Sequence, residues 1–151
     1  MSVLTYIASN YSLPEKHYPE DFCVHFNLDT DVIDDGGRDD SFELIPCMNY
    51  DGVFTEKKYA MALEWHYYTD RRAEQVIQII GENLCHTNEV EICHLWMNGC
   101  EKPIIRAQTI PLDELTPEKL RKLLENDVTK EFYGIPIQYR LVITAKRGED
   151  I

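Results

Sequence analysis

The stretch KKYAMALEWHYYTDRRAEQVIQIIGENL, residues 57–84, joins two different periodicities end to end. Through residue 68 the chain is rich in aromatic residues and alternates. Tyr59, Met61, Leu63, Trp65 and Tyr67 fall on one side, and Ala60, Ala62, Glu64, His66 and Tyr68 on the other. A period of two with aromatic enrichment predicts a long strand. From Thr69 the apolar residues recur at intervals of three and four, as Ala73, Val76, Ile77, Ile80 and Leu84, which predicts a helix running to about Cys85. Thr69 or Asp70 can cap it, because a side-chain oxygen there accepts from an orphan N–H of the first turn. A strand running straight into an amphipathic helix is the first half of a βαβ arch.

Reading onward, EVEICHLWM (89–97) predicts a second strand. Asn98-Gly99 follows, a pair suited to a type I′ hairpin because both central positions of that turn need positive φ. The return strand covers about 102–110, and Pro103 predicts an irregular start or an exposed edge, since proline gives no ladder donor. In LTPEKLRKLLEN (115–126) Thr116 is the expected N-cap, Pro117 occupies the first helical position, and Leu120, Leu123 and Leu124 form the buried face. YGIPIQYRLVITAK (133–146) closes the series as a strand. The order strand, helix, strand, strand, helix, strand predicts an α+β fold. Its specific expectation is a ferredoxin-like split βαβ sandwich (βαββαβ) over about residues 57–147, with both helices on one face of the sheet.

Residues 1–54 are read as an acidic, β-rich extension of that 55–147 core, the whole making one domain of 151 residues. Residues 3–9, 22–28 and 41–48 are expected strands that either enlarge the main sheet or form a small sheet beside it. The formal net charge is −12, and its distribution is uneven. Up to Phe54 there are eleven acidic and two basic residues, a balance of −9; the remainder carries sixteen and thirteen, a balance of −3. Phosphate backbones are recognised by Lys and Arg that displace counterions, so this distribution argues against nucleic acid and suits a basic protein partner. With no basic start, no long apolar core at the N-terminus and no membrane-length apolar run, the expected setting is cytoplasmic and away from membranes.

The most acidic stretch, NLDTDVIDDGGRDDSF (27–42), fails as a calcium loop. Counted from Asp29, the sixth position is Asp34 where a glycine is needed, and the twelfth is Asp40 where a glutamate is needed. It reads instead as the solvated connection of a hairpin between the strands near 22–28 and 42–45, with Gly36-Gly37 in its turn. The five cysteines include no CxxC pair, and the Cys/His neighbours Cys23/His25, Cys85/His86 and Cys93/His94 give no four-ligand knuckle. On a strand Cys93 and His94 point to opposite faces. No metal site, cofactor or disulfide framework is expected, and no P-loop, GxGxxG or G-x-S-x-G is present.

In the ferredoxin-like order the strands at 57–68 and 102–110 are central neighbours. One polar platform would then carry Glu64, His66, Tyr68, Arg106, Gln108 and Arg140. Such a set could hold an anionic small molecule or support acid–base chemistry. It could equally be an ordinary solvated face with a Glu64–Arg106 cross-strand pair. The opening TYIASNYSLPE (5–15) resembles the start of a group of small bacterial proteins with no assigned activity. That resemblance implies a bacterial cytosolic protein and transfers no site.

Two functional readings follow. The first is a non-enzymatic binding or interaction protein, self-associating as a homodimer through a sheet face or binding a basic protein. The alternative is a small-molecule-binding domain or enzyme that uses Glu64, His66, Arg106 and Arg140.

Overall fold

The computed structural model describes residues 2–20, 25–34, 40–47, 55–65, 67–97, 104–124, 131–132 and 135–145. It is a mixed α+β fold in which two helices pack on one six-stranded sheet. The strands are β1 (Ser2–Ser9), β4 (Glu43–Pro46), β5 (Tyr59–Glu64), β6 (Glu89–Met97), β7 (Ile104–Pro111) and β9 (Ile135–Thr144). Their order across the sheet is β4-β5-β1-β6-β9-β7, and the two-residue β8 (Glu131–Phe132) pairs with the start of β9. The helices are α1 (Asp70–Asn83) and α2 (Pro117–Leu124).

The order differs from that of a ferredoxin-like sandwich, and two features cause the difference. First, β1 lies between β5 and β6, antiparallel to both. Tyr6, Ile7 and Ala8 are almost wholly buried, on alternating faces. A strand apolar on both sides is stable only with cover on both sides, which an outer position cannot give. The acidic stretch 1–54 therefore supplies a central strand of the sheet. Second, β6 and β7 do not pair as the Asn98-Gly99 hairpin. β9 lies between them, antiparallel to β6 and parallel to β7. As the longest strand, of ten residues, β9 gains a ladder on each side by this insertion. Asn98 and Gly99 lie outside the described residues. Pro103 lies outside the described residues, among which β7 is the outermost strand of the sheet.

Both helices do lie on one face. The β5-α1-β6 crossover steps one way along the sheet, and the β7-α2-β9 crossover steps the other way on strands of opposite direction. Crossovers of a common hand then deliver both helices to the same side. Ala73, Val76 and Ile80 of α1 and Leu120 and Leu123 of α2 share one apolar cluster with Ile7, Ile92, Leu141 and Ile143 of the sheet. A smaller cluster, Tyr6, Ala8, Cys93 and Leu95, lies on the other face.

The helix starts match the sequence reading. Thr69 accepts a hydrogen bond from the Arg72 N–H at 3.1 Å, and Thr116 accepts one from the Lys119 N–H at 3.2 Å. The strand expected over 57–68 is shorter and stops at Glu64. Trp65 therefore sits beyond the strand, held edge-on against both Phe42 and Tyr68, with ring centroids 6.4 and 6.1 Å away. Those contacts outweigh the β propensity of the aromatic run.

The remaining N-terminal strands, β2 (His25–Asn27) and β3 (Val32–Asp34), form a separate two-stranded sheet. The hairpin is thus more local than the expected pairing of 22–28 with 42–45. The Asn27 side chain accepts from the N–H groups of Asp29 and Thr30, and Asp31 takes positive φ (54°). Aspartate tolerates that conformation because its short polar side chain bonds locally. Gly36-Gly37 lies outside the described residues. Among the described residues no helix is long and apolar enough to cross a membrane.

Candidate functional site

A cleft of about 620 Å³ opens where β5 runs out, lined both by Leu63 of the helix-side row and by Glu43 and Glu64, which alternate to the other face of the sheet. Its floor is a cross-strand pair, Thr5 of β1 opposite His94 of β6. Thr5 Oγ1 lies 2.7 Å from His94 Nδ1. His94 is only 9% exposed, and burial lowers its pKa below the ordinary histidine value, so the imidazole is neutral at pH 7. Cys93, next along the strand, faces the opposite side, as strand alternation requires.

One wall is aromatic. Trp65, Tyr67 and Tyr68 line it in the turn between β5 and α1. Tyr67 is 41% exposed, and one face of its ring is covered by the Arg72 guanidinium, 4.6 Å from the centroid. Arg72 is wholly buried; it donates from Nη1 to the Tyr67 carbonyl at 3.1 Å and from Nε to the Ser41 carbonyl at 2.7 Å. It thus fastens the β5–α1 turn to the segment leading into β4. The Tyr68 hydroxyl lies 2.8 Å from Asp70 Oδ1 and 3.0 Å from the Pro117 carbonyl, which ties the turn to the start of α2. Burial, then the hydrogen bond and charge of Asp70, push its pKa up to about 12.

The other wall is acidic. Glu43 of β4 stands directly opposite Glu64 of β5. Like charges in register across a ladder repel. His17 Nδ1 is 3.6 Å from Glu43 and its Nε2 is 2.9 Å from Glu15. Tyr18 donates to the Glu64 carbonyl at 3.3 Å, holding the extended segment before β2 against the rim. Among the described residues lining the cleft there is no Lys or Arg.

Of the six residues read as one platform, the five described ones are dispersed. Glu64 and Tyr68 line the cleft. His66 lies outside the described residues. Arg106 and Gln108 are exposed on β7, which β1, β6 and β9 separate from β5. At about 4.8 Å per strand, the two strands are ~19 Å apart. Arg140 is on the opposite face from Arg106 and Gln108. They share the register row of Ile110, which is buried under the helices, whereas Arg140 alternates with Leu141 and points away from them. Arg140 belongs instead to a buried polar group, with Nη1 3.7 Å from Glu91, whose carboxylate accepts from Thr55 Oγ1 at 2.6 Å. Tyr6 and Cys93 complete that group, and burial first of all raises the pKa of both, Cys93 to about 12. A thiol so held is protonated and a poor nucleophile.

Sequence reasoning missed Thr5, Glu43, Tyr18 and His94 as neighbours of Glu64. One signal was present: His94 interrupts the apolar row Val90, Ile92 on the helix-facing side of β6. Among the described residues no three His, Cys, Asp or Glu side chains converge as metal ligands. Comparison with protein-family models, curated proteins and solved structures gives no match to this chain.

Proposed function

We propose that this is a non-enzymatic binding protein whose cleft takes a cationic group, the Lys or Arg side chain of a basic protein partner. The observation that carries the reading is the Glu43–Glu64 pair, in register beside aromatic rings, with no Lys or Arg among the described lining residues. An incoming cation relieves the repulsion between the carboxylates. The half-buried Trp65 offers a π-face, a cation–π contact contributing about 0.5–2 kcal/mol, beside Tyr67, which already holds Arg72 in that way. The −9 balance of the first 54 residues adds a field that steers a basic partner inward.

Titration calorimetry with an arginine-rich peptide is the test. Binding should weaken as salt rises, and Glu43→Gln with Glu64→Gln should together weaken it about tenfold or more. Trp65→Phe, which keeps an aromatic ring against Phe42, should cost less. Absence of binding at low salt, or binding indifferent to both glutamines, overturns the proposal. A second reading is a small organic cation as ligand. It is favoured by the cleft volume, which lies within the roughly 300–1,000 Å³ of small-molecule sites. Equal affinity for a free alkylguanidinium and for the peptide would select it.

A further inference from the structure

The two edges of the sheet are built differently. β4 has four residues, ends in Pro46, and its outer side is bridged by Lys16, which exchanges backbone hydrogen bonds with Leu44 at 2.8 and 2.9 Å. That edge is short and covered. β7 has eight residues and pairs only with β9 among the described residues. It too ends in a proline, Pro111, but the seven residues before that hold no proline, no glycine and one charge, Arg106. Arg106, Ala107, Gln108 and Thr109 are all exposed, so among the described residues the middle of β7 is open on both faces as well as on its edge. A long, flat strand with a free row of N–H and C=O groups is a template for another strand, and monomers ordinarily blunt it.

We propose that β7 is a self-association edge, where a second copy of this chain adds antiparallel to form one continuous twelve-stranded sheet. The occupant follows from the charge pattern. In a two-fold pairing centred on Ala107, residue 106 of one copy faces 108 of the other, and 105 faces 109. Arg106 then meets the amide of Gln108 twice, and Ile105 meets Thr109 twice. No like charges stand opposite each other, and the β-branched Ile105 and Thr109 pack as a pair. The register is self-complementary, which an arbitrary foreign strand has no reason to be. β7 contributes none of the described residues that line the cleft, and β9 separates it from His94 on β6, so the assembly leaves the cation site open.

Light scattering after size exclusion, over about a hundredfold range of concentration, should show mass moving between 17.7 kDa and twice that value. Gln108 is exposed, so charging it leaves the fold intact. Gln108→Lys sets Arg106 against lysine at two places and should raise Kd roughly three- to thirty-fold. Gln108→Glu should lower Kd by a similar factor, and Arg106→Glu combined with Gln108→Lys should restore association. A chain that stays monomeric, that captures only a foreign strand, or whose dimer ignores all three variants overturns the proposal.

Discussion

At the residue scale, His94 carries the clearest consequence. It is held neutral in the fold by burial, and an unfolded histidine titrates near 6.5. The unfolded state therefore binds the proton first, and stability contributed by the neutral imidazole is lost as pH falls below about 6.5. The loss levels off below the folded pKa, at about 1.4 kcal/mol for each unit of depression. Above about pH 7 His94 adds no slope. The difference in urea stability between wild type and His94→Gln, measured from about pH 7.5 down to pH 5, should isolate this dependence from that of the carboxylates. Equal slopes in the two proteins would show that His94 titrates normally. This pH behaviour could not be read from the sequence, because nothing local says that Thr5 arrives beside His94 from 89 residues away. What was legible was parity: Cys93 and His94 face apart, as alternation demands.

At the element scale, the helices were the most legible parts. Their apolar spacing, their threonine caps and Pro117 are all local, and the caps are realised, as is the apolar face apart from Ile77 and Leu124, which are half-buried. Thr69→Ala should cost about 1 kcal/mol, because the Arg72 N–H loses its acceptor. Thr69→Ser should restore most of it. Urea unfolding reads both; a cost of zero would mean that solvent replaces the cap. Pairing between strands was less legible. Asn98-Gly99 is a strong local turn signal, yet β9 separates the strands it would join. Similarly, alternation correctly split Arg106 and Gln108 from Ile105, Ala107 and Thr109. It could not say which row faces the helices; Ile110, buried in the row of Arg106, decides that. The six-residue platform failed on this point, because side-chain period is local while register is a property of two strands.

At the scale of the whole molecule, α+β architecture and one-sided helices were legible, but the sheet order was not. That order predicts a gradient of local stability. β1 and β6, paired on both sides and holding Ile7, Ile92 and Leu95 at full burial, should exchange their amides only by global unfolding. The β2–β3 hairpin should exchange far faster, since Phe26, Leu28 and Val32 are 54%, 83% and 53% exposed. Hydrogen–deuterium exchange by mass spectrometry checks this, and a hairpin as protected as β1 would reveal cover at its apolar tip.

The central place of β1 also bears on how the chain is made. Ser2–Ser9 leaves the ribosome before either of its partners, since β5 begins at Tyr59 and β6 ends at Met97. At about 5–20 residues per second, the second partner is complete roughly 4–18 s after β1 itself. Through that interval the strand that later holds the sheet together is an apolar segment with nothing to pair with. Folding of the sheet must therefore wait for distant chain, and the nascent protein is exposed to aggregation at β1 until that chain arrives.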